Sequence, residues 1–245
     1  MESANIDIGT GMLTLRSWIF LCLFYLWTIF CLLTIWPVML VSPKGGRACV
    51  NFWGRGILFL LKATVGIGYE VRGLENIPET PCLIASKHQS AWEIFALLLI
   101  LPDATFVMKR ELIGIPLFGW YALRLGMIPV DRDKGAAALR SISEHAQREL
   151  AAGRHIIIFP EGTRRPIGAE PDYKSGIGHF YKRFGIPCVP AALNSGRYWQ
   201  NGVTIKKPGT IILSFLPAIE PGLRAKDFMN RLQDLVEEET EKLVS

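Results

Sequence analysis

The chain has 245 residues, half of them hydrophobic, with 27 basic and 22 acidic side chains and a formal net charge of +5. That length suits one catalytic-size domain with an appendage, and the apolar content is high for a fully soluble protein. The basic balance suits anionic lipid surfaces and phosphorylated substrates. No nucleic-acid recognition motif accompanies it, which counts against DNA or RNA as a partner. The five cysteines, Cys22, Cys31, Cys49, Cys82 and Cys188, show neither metal nor redox spacing, so no metal is expected and reduced thiols are the default.

The apolar excess is local. From Trp18 to Val41 the chain reads WIFLCLFYLWTIFCLLTIWPVMLV, without a charge. At about 1.5 Å per residue such a helix reaches roughly 36 Å, enough to cross the hydrocarbon of a bilayer with some tilt. The run is too long for a signal-peptide core, and no small-x-small cleavage site follows it, so a retained membrane segment is expected. Lys44, Arg47 and Arg55 follow it, whereas Arg16 alone lies close before it. The positive-inside tendency then places the bulk of the chain in the cytoplasm, at the inner membrane if the source is bacterial. A second apolar stretch, residues 56–68, is too short to span and carries Lys62. It could pair with the first in a hairpin that dips into one leaflet, and Pro37 fits a kink or a reversal. The sequence leaves spanning and embedding both open. Residues 1–68 are read as a membrane-anchoring helical segment and residues 69–245 as an α/β domain.

From residue 69 short strands and helices alternate. Strands are expected at 69–73, 82–86, 104–108, 127–130, 155–159, 186–193 and 210–215. Helices are expected at 92–101, stopped by Pro102, then at 116–125, 134–152, 174–184 and 224–244. Short, nearly continuous apolar strands argue a mixed, largely parallel sheet covered by helices on both faces. In such sheets functional groups sit in the loops at strand ends. His88, Arg132 and Glu161 each follow an apolar strand directly.

His88 and Glu93 flank the turn SKHQSAWE, residues 86–93. On one regular helix a five-residue step would turn them about 140° apart. They can meet only if His88 lies in the turn and Glu93 in the first helical turn. Two readings compete for Glu93. With Ser90 as N-cap it would complete a capping box. Alternatively its carboxylate accepts the imidazole N–H and leaves the other ring nitrogen free as a base. The spacing alone decides little, because the chain holds 4 histidines and 22 acids. His145, His155 and His179 lack such a constellation and are read as structural.

Four further stretches change the balance: KREL at 109–112, running on through IGIPLFGW to Trp120; GMIPVDR at 126–132; FPEGTRR at 159–165; and IPCVPAAL at 186–193. Together with HQSAWE, in this order and at these intervals, they resemble the PlsC-type glycerolipid acyltransferases, and within them the 1-acyl-glycerol-3-phosphate acyltransferases. The resemblance covers roughly residues 69–215. It implies a membrane-associated enzyme that moves a fatty acyl group from a thioester, acyl-CoA or acyl carrier protein, to the sn-2 hydroxyl of lysophosphatidate, with no further cofactor. It implies His88 as the base and Glu93 as its orienting acid. It puts acceptor-phosphate binding at Lys109, Arg132 and Arg164, and assigns Glu161, Gly162 and Thr163 to the shape of the acceptor site. Lys174 and Gly176 match a lysine-glycine segment that often follows.

The residue types suit that chemistry. A neutral imidazole is a fitting base for a weakly nucleophilic hydroxyl. Arg offers phosphate a planar fork and Lys a mobile point charge. Ordinary readings stand beside these: Arg132 in DRDK as a solvated charge and Lys109 as an exposed helix start, whereas Arg164 sits in a Gly-Thr turn after a strand, a better place for function. The chain also departs from the family pattern. Glu93 stands where Asp is usual, Lys87 where Asn is common, and Arg165 where serine is common. Lys87 would face either the donor's phosphates or solvent. Three rivals remain: the same chemistry on another lysolipid, a non-catalytic lipid-binding module, and a hydrolase. The last is disfavoured by the absence of G-x-S-x-G.

Overall fold

The computed structural model describes residues 2–131 and 135–245, with side chains described at 9–38, 40–42, 45–131 and 142–245. Two long helices come first. Helix α1 spans Glu2–Val41 and α2 spans Pro43–Thr64. Pro37 lies inside α1, and the chain reverses only at Ser42. Ser42 adopts extended backbone and its Oγ accepts the Gly45 N–H at 3.1 Å, with Pro43 at the first helical position where its missing N–H costs nothing. This cap starts α2 well before the apolar stretch at 56–68. The helix ends at Thr64, because residues 67 and 68 belong to the first strand.

The two helices form a hairpin. Trp27 Nε1 donates to the Trp53 carbonyl at 3.0 Å, and Trp53 Nε1 donates to Thr28 Oγ1 at 3.1 Å. Gly56 sits directly under the Trp27 indole, where a Cβ would lie 2.4 Å from ring atoms. The inner side of the hairpin joins the core through Phe20, Ile57, Leu61 and Val65, all fully buried. The outer side stays apolar and open: Leu15, Leu26, Leu33, Phe52 and Phe59 are each more than half exposed. An uncovered apolar face of this extent marks a surface made for something other than water. Among the described residues one stretch, Gly9–Val38, is long and apolar enough to cross a membrane, at 30 residues.

Among the described residues seven strands follow: β1 Ile67–Arg72, β2 Leu83–Ser86, β3 Ala104–Lys109, β4 Ile128–Val130, β5 His155–Ile158, β6 Cys188–Leu193 and β7 Gly209–Phe215. The sheet order is β1-β7-β6-β2-β5-β3-β4. Strands β6, β2, β5, β3 and β4 are mutually parallel; β7 pairs antiparallel with β6, and β1 lies parallel to β7. The fold is therefore the mixed, largely parallel α/β sheet expected. Among the described residues five further α-helices complete it: α3 Trp92–Ile100, α4 Phe118–Arg124, α5 Gly135–Ala151, α6 Gly176–Phe184 and α7 Ala225–Val244.

Strand residues divide between two cores with a period of two. Ile84 and Ile157 face the layer of α2 and α3, together with Val65 and Trp92. Leu83, Ala85, Ile156 and Ile158 face the opposite layer, with Phe180 of α6 and Phe228, Leu232 and Val236 of α7. Both faces of the central strands are covered, which explains why β2, β5 and β6 run apolar without alternation. It also leaves the carboxyl ends of the parallel strands as the place where polar groups collect.

Candidate active site

Strand β2 is buried throughout and ends at Ser86. The chain then turns through residues 87–91 before α3 begins at Trp92. His88 therefore lies in the turn and Glu93 in the first helical turn. His88 Nδ1 and Glu93 Oε1 are 2.9 Å apart.

Glu93 is fully buried and collects five donors. Oε1 receives His88 Nδ1 and the backbone N–H groups of Gln89 at 2.6 Å and Ser90 at 2.7 Å. Oε2 receives Ser90 Oγ at 2.7 Å and Ser195 Oγ at 3.0 Å. Burial alone would raise the carboxyl's pKa, but His88 and the Ser90 bonds outweigh it and hold Glu93 below the ordinary carboxylate range. An ionised carboxylate only accepts hydrogen bonds, so the imidazole proton sits on Nδ1 and the lone pair on Nε2.

Glu93 makes the contacts of both readings at once. Its carboxylate reaches back to the Ser90 N–H, as in a capping box, while also holding the imidazole. The other half of the box differs from expectation. Ala91 immediately precedes the helix, and Ser90 Oγ accepts the Trp92 N–H at 3.0 Å, two residues on instead of three.

Because β5 pairs with β2, the FPEGTRR segment lies beside this turn. The Phe159 ring stacks on the His88 imidazole at 3.9 Å and 15°. The Arg165 N–H donates to the His88 carbonyl at 2.8 Å. Glu161 is buried; its Oε2 accepts the His88 N–H at 3.4 Å and its Oε1 accepts Lys87 Nζ at 2.9 Å. Burial pushes the Glu161 carboxyl up, with Lys87 pulling against that shift. Lys87 meets neither solvent nor open space. It is 3% exposed, and its ammonium also donates to both oxygens of Glu237 on α7, at 2.7 and 2.9 Å.

The cations read as phosphate ligands sit further out. Lys109 ends β3 and is exposed. Arg164 is half-buried, and its guanidinium donates to Asn201 Oδ1 at 3.2 Å. Arg132 lies outside the described residues. Gly162 turns the chain with φ of 68°, a conformation that favours glycine, and Thr163 is exposed. Lys174 pairs with Asp172 at the surface. A cavity of about 470 Å³ opens where β3 and β4 end, lined by Arg110, Glu111, Ile113, Gly114 and Asp131. His155 Nδ1 sits 3.2 Å from Cys82 Sγ at the far end of β5, a structural position.

Sequence reasoning did not reach Phe159, Ser195 or Glu237. Phe159 was in view as part of the motif, but nothing local indicated stacking. Ser195 lies 102 positions from Glu93, and Glu237 lies 150 from Lys87.

Comparison with known proteins follows the same outline. The family model described as Acyltransferase matches residues 68–194. The 1-acyl-sn-glycerol-3-phosphate acyltransferase of Pseudomonas aeruginosa is 42% identical over 173 residues, covering 71% of this chain and 67% of that protein. The mouse 1-acyl-sn-glycerol-3-phosphate acyltransferase alpha is 30% identical over 186 residues, covering 74% and 65%. The crystal structure of the 1-acyl-sn-glycerophosphate acyltransferase PlsC from Thermotoga maritima superposes with a TM-score of 0.75 over 98% of both chains, at 22% identity. That structure shares the fold.

Proposed function

Because the chain belongs to the PlsC acyltransferase family, we propose that it transfers a fatty acyl group from an acyl thioester to the sn-2 hydroxyl of 1-acyl-glycerol-3-phosphate, giving phosphatidate. The observation that carries this reading is the His88–Glu93 pair, at 2.9 Å in the turn after β2. In the proposed step His88 Nε2 takes the proton of the acceptor hydroxyl. The oxygen attacks the thioester carbonyl, and Glu93 stabilises the imidazolium that forms. The tetrahedral adduct collapses, the C–S bond breaks, and the thiolate leaves with the proton from Nε2. The thioester is already activated, so direct transfer is sufficient and no acyl-enzyme is invoked. A positioned base of this kind contributes on the order of 10²- to 10⁴-fold.

Lys109, Arg132 and Arg164 are proposed to receive the acceptor phosphate, with Glu161, Gly162 and Thr163 shaping the wall beside it. The donor is acyl-CoA or acyl carrier protein. Residues 1–68 are proposed as the membrane anchor and 69–245 as the catalytic unit, on the cytoplasmic side, since Arg47 and Arg55 follow the apolar helix.

The test is purified protein in detergent with its His88→Ala variant, given long-chain acyl-CoA or acyl carrier protein and lysophosphatidate. Thiol release matched by phosphatidate, and lost in the variant, is the expected result. Thiol release without phosphatidate, cured by another lysolipid, would move the acceptor but keep the chemistry. Equal activity in the variant would remove His88 from it.

A further inference from the structure

Lys87 sits immediately before His88 and is almost wholly buried, yet it touches no open space into which a substrate could come. One ammonium stands between two carboxylates, Glu161 Oε1 at 2.9 Å and both oxygens of Glu237 at 2.7 and 2.9 Å. Tyr173 adds its hydroxyl to Glu237 Oε1 at 2.8 Å. The chain of contacts runs from the C-terminal helix through Lys87 to Glu161, and from Glu161 Oε2 to the His88 N–H.

Helix α7 is firmly placed to act as the far end of this chain. Phe228, Leu232, Val236 and Thr240, spaced by four, are all buried. Glu237 follows Val236 and is therefore carried on the edge of that buried stripe. A second set of contacts ties the end of the helix to the loop after β6. Asn194 Nδ2 donates to the Leu243 carbonyl at 3.0 Å, and Arg197 donates to the Val244 carbonyl at 2.8 Å. Between those two residues lies Ser195, a donor to Glu93. The helix thus reaches the His88–Glu93 turn from two sides, by charge at Lys87 and by backbone acceptors beside Ser195.

We propose that Glu237 is a positioning residue for the acyl-transfer site, holding Lys87 against Glu161 so that the Glu161 carboxylate keeps its place beside the His88 backbone N–H and the turn stays in register with Glu93. Glu161 is buried; burial and the nearby Glu237 carboxylate push its carboxyl up, and Lys87 pulls against them. A Lys87 released from Glu237 can shift and carry Glu161 with it, and the His88 N–H then loses one of its fixed points. Lys87 supplies the countercharge, and Glu237 fixes where Lys87 stands. The competing possibility is a static ion pair that contributes to folding and nothing else. The inference rests on the acyl-transfer reading for its kinetic readout, and has a second readout that does not.

The variants are Glu237→Gln, Glu237→Asp and Lys87→Met, in the full chain in detergent. Glutamine keeps the size but removes one acceptor and the charge; aspartate keeps both acceptors. Acyl transfer is measured for kcat and donor KM. Separately, the rate of His88 modification by diethylpyrocarbonate is followed by peptide mass spectrometry, which needs no substrate. For Glu237→Gln and Lys87→Met we expect kcat lower by about 10- to 100-fold, the order seen for small misplacements of a reacting group. Donor KM should stay within about twofold, and the His88 modification rate should change about threefold or more. Glu237→Asp should keep kcat within about threefold of wild type and leave the modification rate as it was. Glu237→Gln matching wild type in both readouts overturns the proposal, and so does Glu237→Asp failing as badly as Glu237→Gln. If wild type acylates no lysolipid at all, the acyl-transfer reading falls, and the modification rates alone decide whether Glu237 positions His88.

Discussion

Ser195 Oγ lies 3.0 Å from Glu93 Oε2, joining the loop after β6 to the first turn of α3 across 102 residues of chain. The contact closes the shell of donors around a carboxylate that has no access to water. Ser195→Ala removes one donor and leaves four. The expected outcome is a fall in kcat of about three- to tenfold, the size of one net hydrogen bond of about 1 kcal/mol. KM for both substrates should hold. Steady-state kinetics of the purified variant decide it.

Glu93→Gln keeps the shape but removes the negative charge, so imidazolium formation at His88 is no longer supported. A loss in kcat of about 10²- to 10⁴-fold is expected, in line with tautomer and charge effects at other His–carboxylate pairs.

The same substitution has a stability signature. In the folded chain Glu93 is held below its ordinary value, so the unfolded chain binds that proton more tightly. Ionised Glu93 therefore supports folding above about pH 4, and the support fades as pH falls through the lowered folded value. Acid unfolding of wild type should be steeper there than that of Glu93→Gln, as read by circular dichroism in detergent. Equal acid profiles would mean the charge is not favoured by folding.

Arg164 tests the acceptor. If it receives a phosphate, Arg164→Ala should raise the lysophosphatidate KM about tenfold or more, the size of a lost charge-assisted bond. Donor KM should not move. An unchanged acceptor KM would point to a head group without phosphate.

Gly56 tests the hairpin. A Cβ there would lie 2.4 Å from the Trp27 indole, whose Nε1 is already fixed on the Trp53 carbonyl. Gly56→Val should destabilise the protein by about 1–3 kcal/mol or more through overpacking. Gly9 has nothing within 4 Å of its Cβ position, so Gly9→Val serves as the control. Thermal unfolding in one detergent compares the two.

The centre of the sheet was legible because β2, β5 and β6 are buried on both faces and read as apolar runs. Residues 155–159 and 210–215 fall within a residue or two of the observed β5 and β7. The start of α2 was not legible from hydropathy, because it is set by the Ser42 cap and Pro43, and its first turns carry little apolar content. Meeting of His88 and Glu93 could be stated as a condition on the turn, and the turn meets it. The partners Ser195 and Glu237 were not legible, since side chains brought together by sheet order leave no local spacing to read. Lys87 was visible as an odd residue, but its burial depends on α7 lying over the turn, which only the packing reveals.

Glu93 secures the start of α3 through Ser90 and the imidazole through Nδ1 with one and the same oxygen. Local folding and the direction of the ring are thus inherited as a single trait. A chain truncated at position 93 gives up its hold on the helix start and on the histidine in the same event.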